Sequence, residues 1–303
     1  FDKYCFAVQL HGKTYTIGEG EPVFKLIVYK DIPKTKLLSS TSLALGEAYM
    51  SKDVDIEGDL FTALCCLLEQ RQSFSLDRTI LRNILFQSEA KDKQKIQVAS
   101  HYDLGNEFYS AWLDPSMSYS CAYFKSDADT LETAQRNKVR YILKKLCLKE
   151  GMSLLDIGCG WGYLLIEAAR EYGVSGYGCT LSKEQWRKGQ ERIKELGLQD
   201  RVEIDLIDYR DLDKLNRTYD RIVSVGMIEH VGRSNYGLYM SMVGHLLKEG
   251  GLFLLHYISG HDEQVGNPWM RKYIFPGGIL PSLREIVSLA YDTEFQIIDV
   301  ESL

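Results

Sequence analysis

The 303-residue chain contains no run of about 18 apolar residues, so its pattern offers no membrane-spanning helix. It has no positive excess either: 36 Lys and Arg stand against 42 Asp and Glu, a formal charge of −6. No global field therefore draws it to nucleic acid or anionic lipid, and any membrane contact must be local. Its seven cysteines are odd in number and lack metal-ligand spacing, and Cys65 and Cys66 are adjacent. A disulfide framework and a cysteine metal site are both disfavoured, no metal is expected, and the compartment reads as reducing. No signal segment precedes the first elements, and the chain opens at Phe1 without a methionine, so its start is read as trimmed.

What is present is an ordinary globular composition, 45% hydrophobic and 26% charged, enough for one large or two ordinary domains. The most informative stretch is Leu154-Leu155-Asp156-Ile157-Gly158-Cys159-Gly160-Trp161-Gly162, followed by Tyr163 to Arg170. An apolar run breaks into alternating glycines and then enters a helical pattern: strand, tight turn, helix. Glycines permit backbone angles closed to other residues and let a ligand lie against bare amides at a helix N-terminus. The spacing is G-x-G-x-G, not the G-x-G-x-x-G of most dinucleotide sites, which argues against a pyrophosphate.

Residues 1–73 read as a small α+β domain of short strands, such as Tyr4–Val8 and Lys25–Tyr29, with helices over Thr41–Met50 and Gly58–Glu69. Residues 74–98 read as a helical connector, and 99–303 as the catalytic domain. Within it a helix over Leu131–Leu146 precedes alternating strands and helices: Ser175–Thr180, Lys183–Leu196, Val202–Ile207, Asp220–Val225, Tyr236–Leu247 and Gly251–His256. Alternation predicts an α/β, doubly wound, mostly parallel sheet, whose ligands bind beyond the strands' carboxyl ends. Those ends carry Gly158, Thr180, Asp208, Glu229 and His256. A last strand is expected at Phe295–Val300, with the C-terminal end of the domain cut short.

With Asp156 two residues upstream, the glycine run resembles motif I of S-adenosylmethionine (SAM) methyltransferases. Taken in order, Tyr119–Phe124, Asp156–Gly162, Thr180-Leu181-Ser182, Asp208–Asp211, Glu229–Gly232 and His256 resemble cyclopropane-fatty-acyl-phospholipid synthases over about Gln94 to Leu303. The resemblance implies a class I, Rossmann-like methyltransferase fold. It implies SAM held by Gly158, Gly160 and Gly162 with Asp156, by Tyr119 and Ser120, by Thr180, Leu181 and Gln185, and by Tyr209 and Arg210 near the adenine. The extra N-terminal domain suits bacterial phospholipid enzymes, serving access to membrane substrate.

The reaction implied is methylation of a cis alkene in an unsaturated phospholipid acyl chain, then loss of a proton and closure of a three-membered ring. An alkene is a poor nucleophile, so the methyl donor must be held in line in a dry cavity. The carbocation left by transfer suits the faces of Tyr119 and Tyr123. The base implied is a bound bicarbonate held by Cys121, Glu229, His256 and the Ile258 backbone. Family resemblance also implies a homodimer, cytoplasmic and peripherally associated with the inner face of the membrane.

Each residue also has a plainer reading. Cys121 alone would be a small buried hydrophobe, Thr180 and Gln185 a helix cap with a polar neighbour, and His256 a satisfied core histidine. Glu229 and His256 at adjacent strand ends on one cleft reverse that preference. Cys159 and Trp161 read as packing residues, and His101 and His230 as supporting ones. Trp269–Phe275 mixes aromatic and basic residues as a lipid-facing segment does, with a core-covering loop as the alternative. The competing functions are a small-molecule N-methyltransferase and a non-catalytic SAM- or lipid-binding module.

Overall fold

A computed structural model describes residues 4–69, 105–261, 263 and 266–303. The expected connector at 74–98 and His101 lie outside the described residues. The chain divides into two compact units, Phe1–Gln87 with Val265–Ile274, and Ser88–Gln264 with Phe275–Leu303.

In the first unit, β1 (Phe6–Leu10), β2 (Lys13–Ile17), β3 (Phe24–Val28) and β4 (Val54–Gly58) form one sheet in the order β2-β1-β3-β4. Phe6 and Phe24 stack at 5.0 Å between centroids, over the fully buried Ala63 and Cys66. Helices α1 (Lys34–Ser39), α2 (Thr41–Met50) and α3 (Leu60–Glu69) complete it. Strand β4 is absent from the sequence reading, which starts a helix at Gly58. Val54 and Ile56 turn inward while Asp55 and Glu57 face out, an alternation too short and too acidic to stand out.

Residues Pro268–Tyr273 form a short helix belonging to this unit. Its Trp269 ring lies against Gly46 of α2, where a Cβ would collide with the indole, and Glu47 binds both Lys272 and Tyr273. The lipid-facing expectation for this segment is thus corrected for Trp269, which covers α2.

The second unit is built on a parallel five-stranded sheet, β5 (Ser153–Ile157), β6 (Ser175–Thr180), β7 (Val202–Leu206), β8 (Tyr219–Val225) and β9 (Leu247–His256), in the order β7-β6-β5-β8-β9. Strand β5 is central, and Leu154 through Ile157 are buried, as a strand covered on both faces requires. On one face pack helices α4 (Leu131–Lys145), α5 (Tyr163–Tyr172) and α6 (Lys183–Glu195); on the other, α7 (Tyr236–Leu246) and α8 (Leu283–Asp292). Gly178 of β6 lets α5 approach, since a Cβ there would lie 2.7 Å from the Cys159 Sγ and from Leu165. Strand order reverses between β5 and β8, opening a crevice at their carboxyl ends.

Phe295–Val300 is not a strand. Phe295 and Ile297 pack into the cluster beneath α7, while Ile298 and Val300 are exposed, and Lys145 binds Asp299 and Glu301. Alternation is present, but no described strand offers this segment a ladder, and alternation without a partner edge does not make a strand.

Candidate functional site

Strand β5 ends at Ile157 and the chain turns through Gly158, Gly160 and Gly162, with φ of 83°, 56° and 78°. All three need glycine's left-handed freedom, but for different reasons. A Cβ on Gly158 would sit 2.8 Å from the Met227 Cγ, and one on Gly162 would collide with the Ile204 methyl. A Cβ on Gly160 would meet nothing within 4 Å. Gly160 lines a cavity of about 150 Å³ at the crevice, so its open side is space for a ligand, whereas Gly162 lies outside the lining and admits the helix. The amides of Gly158 and Cys159 both donate to the Cys179 carbonyl, at 3.1 and 3.0 Å, pinning the loop to β6.

The same cavity is lined by Tyr119, Ser120, Asp156, Gly158, Thr180, Leu181, Gln185, Tyr209 and Arg210. Thr180 Oγ1 donates to Gln185 Oε1 at 2.7 Å and accepts from the Ser182 amide, while Ser182 caps α6. The capping reading of this turn and its place at the cavity are therefore compatible. Asp208 grips Arg210 through Nε at 2.8 Å, Nη2 at 2.6 Å and the backbone amide at 3.0 Å. That fork fixes the Tyr209–Arg210 turn. Tyr209 sits edge-on to Tyr239 at 5.4 Å, and burial pushes its phenol up to about 12.

Tyr119 closes one wall, with ring contacts to Tyr109, Trp112 and Phe275. Cys159 and Trp161, read as packing residues, are buried and also line the cavity; the Trp161 indole N–H donates to Asn106 Oδ1 at 2.7 Å. His230 lines it too, edge-on to Phe275.

The sequence reading missed Lys138, which lines the cavity and is only 3% exposed. A signal existed: Ala134, Gln135, Lys138, Val139 and Ile142 form the buried stripe of α4, where a lysine and a glutamine are out of place. Asp156 is buried beside it, one oxygen having no partner among the described residues, and burial raises its carboxyl to about 7. A ligand carrying an N–H donor would satisfy that oxygen, so the residues present fit the amino-acid end of a cofactor such as SAM.

The second set of candidates lies outside this lining. Glu229 stands in a 3₁₀ turn, Ile228–His230, beyond β8. Its Oε1 accepts the Ile258 amide at 2.9 Å, Oε2 is buried with no partner among the described residues, and burial raises its carboxyl. The Ile258 N–H is therefore committed to Glu229. His256 ends β9 opposite Val225. Its Nδ1 is likewise buried and unpartnered among the described residues, and burial, with help from Lys138, pushes its imidazole down. It is held as a neutral ring. Cys121 is exposed. Tyr123 likewise lies outside the cavity lining, its ring stacked on Tyr141 at 5.3 Å.

Residues 89–303 match the family described as mycolic acid cyclopropane synthetase, and residues 4–79 match a domain described as one of unknown function (DUF7884). The chain is 46% identical over 257 residues to the cyclopropane-fatty-acyl-phospholipid synthase of Escherichia coli K12, covering 83% of this chain and 65% of that protein. It thus spans about two thirds of that relative's length. Among solved structures, the cyclopropane synthase MmaA2 from Mycobacterium tuberculosis aligns with a TM-score of 0.63 and 33% identity, over 68% of this chain and 76% of that one. Mycolic acid cyclopropane synthase CmaA1, complexed with SAH and CTAB, aligns with a TM-score of 0.63 and 35% identity over the same shares.

Proposed function

Because the chain belongs to the mycolic acid cyclopropane synthetase family, whose fold it shares, we propose that it is a SAM-dependent methyltransferase. It transfers a methylene to the cis double bond of an unsaturated phospholipid acyl chain, giving a cyclopropane ring. The observation that carries the cofactor reading is one cavity lined by the left-handed Gly160, where a Cβ would meet nothing within 4 Å, and by Asp156, one of whose buried oxygens lacks a partner among the described residues. When bound there, SAM supplies an electrophilic methyl on a sulfonium.

The chain's own residues orient and shield. Gly158, Gly160, Thr180, Gln185, Tyr209 and Arg210 form the cofactor wall, and Tyr119 with its aromatic neighbours keeps water from it. Aromatic faces attract cations, so the Tyr119 ring favours positive charge developing on the alkene carbons. The proton that leaves needs an acceptor. Glu229 and His256 supply two buried polar atoms still lacking a partner, and with exposed Cys121 they are the groups to hold a small anion such as bicarbonate. Ile258 serves that end by orienting Glu229.

The N-terminal unit brings lipid to this chemistry as a peripheral contact at the inner face of the bacterial membrane, with the enzyme cytoplasmic and homodimeric. Leu38 and Phe61, 73% and 74% exposed, are its apolar contacts with lipid.

The decisive experiment incubates the chain with methyl-labelled SAM and vesicles of a cis-monounsaturated phospholipid, followed by lipid mass spectrometry. Label retained in a saturated, ring-bearing acyl chain is expected. Label in a branched methyl chain would correct the product, and no label in lipid would overturn the substrate.

A further inference from the structure

Two side chains one turn apart on α4 reach across to the same short segment. Gln135 Nε2 donates to the carbonyls of Ser118 and Ser120, at 3.1 and 2.9 Å. Lys138 Nζ donates to the Ser120 hydroxyl at 2.6 Å. Gln135 and Lys138 are 2% and 3% exposed, so both are core positions spent on polar contacts. Burying an ammonium is costly, and one retained against a neutral hydroxyl calls for a role beyond packing. The segment it grips, Ser118–Cys121, carries Tyr119 and Ser120 into the cavity and Cys121 beyond it.

We propose that Lys138 is a positioning residue: as an ammonium it fixes the Ser120 hydroxyl, and with Gln135 the whole 118–121 segment, so that ligand binding in the glycine-loop cavity depends on its charge. This rests on the cofactor reading above. The charged and titratable groups facing Lys138 are Asp114 and Cys121 from the segment before α4, Asp156 at the end of β5, and His256 at the end of β9. Burial lowers the lysine to about 8, against the pull of Asp114, Cys121 and Asp156. The clamp is therefore charged below about pH 8 and loses its proton above it, whereas Asp156, raised to about 7, titrates on the acid side.

The test is calorimetric binding of S-adenosylhomocysteine, which involves no turnover, from pH 6 to 9.5 for the full chain and for Lys138→Met, Lys138→Arg and Ser120→Ala. Wild-type affinity should fall as pH rises past 8. Lys138→Met should bind about tenfold more weakly at pH 7, as loss of a charge-assisted hydrogen bond implies, with a flat alkaline limb. Lys138→Arg, whose guanidinium stays charged, should recover affinity and carry it to higher pH. Adding Ser120→Ala to Lys138→Met should cost no more than the larger single change. A Lys138→Met protein with wild-type affinity and wild-type pH dependence overturns the proposal. If Lys138→Arg fails to fold, the flat or unflattened profile of Lys138→Met decides alone. Absence of any S-adenosylhomocysteine binding by the wild type would instead overturn the cofactor reading itself.

Discussion

The Glu229 carboxylate accepts the backbone N–H of Ile258 through Oε1 at 2.9 Å, while Oε2 is buried with no partner among the described residues. Two segments 29 residues apart are thereby locked at the ends of adjacent strands. Half of the carboxylate is structural and half is free to act, and the two halves are separable by substitution.

Glu229→Gln keeps shape and can still accept from Ile258 through its amide oxygen, but it has neither the charge nor the exchangeable carboxyl proton with which to tune a bound bicarbonate base. If the free oxygen only filled a polar slot, product formation would change little. In the proposed mechanism it falls about 100-fold, the ordinary cost of losing a general-base arrangement. Affinity for S-adenosylhomocysteine should be retained, since Glu229 lies outside the cavity lining. Depleting bicarbonate should slow the wild type and leave the variant nearly unaffected, because both changes act on one site. An undiminished rate for Glu229→Gln at saturating SAM and lipid would remove the anion-site role.

A second carboxylate ties the sheet together and gives the acid sensitivity of the fold. Asp220 accepts from the Ser153 amide at 2.8 Å and hydroxyl at 2.7 Å and from Lys248 at 3.0 Å, joining β5, β8 and β9 at their amino ends. Those contacts, the Ser153 amide first, hold its carboxyl down at about 2. A depressed folded value means stability fully present above the unfolded value near 3.8 and lost as pH falls towards 2. Asp220 and Lys248 are part-exposed, so solvent screens the group and its contribution is on the order of 1 kcal/mol. Urea midpoints of wild type and Asp220→Asn should therefore differ at pH 6 and converge as pH drops below about 4. A gap that stays constant with pH would contradict the assignment.

The sheet was legible because short strand patterns, among them the apolar stretches Leu154–Leu155 and Leu252–Leu255, alternate with helices of clear period. The strand–turn–helix at Gly158–Gly162 was legible because an apolar run broken by three alternating glycines has few other forms. Lys138 and Gln135 were written in the buried stripe of α4, yet a lysine in a charged helix is easily taken for its solvent face. The Ile258 contact was illegible, since a backbone amide leaves no mark in the residue sequence. Phe295–Val300 failed for the opposite reason: its alternation was right for a strand, but want of a partner strand decided otherwise. Local pattern fixes what a segment can do, and its neighbours in space choose.

Substitutions at Gly160 and Gly162 should separate binding from folding within three residues. Both have left-handed φ, so any side chain there carries backbone strain of roughly 1–2 kcal/mol. Beyond that shared cost the positions differ. A side chain on Gly162 would run into Ile204, itself fully buried in the core between α5, α6 and the sheet. Gly162→Ala should consequently lower the melting temperature well beyond the strain alone, with cofactor affinity in the surviving folded fraction little changed. A side chain on Gly160 meets no protein atom within 4 Å, and the residue lies in the cavity lining. Gly160→Val should therefore remain folded, with a modest loss of melting temperature, and lose S-adenosylhomocysteine binding by calorimetry. Folded Gly160→Val protein that binds with wild-type affinity would withdraw the cofactor from this loop, and with it the reading of the cavity as a methyl-donor site.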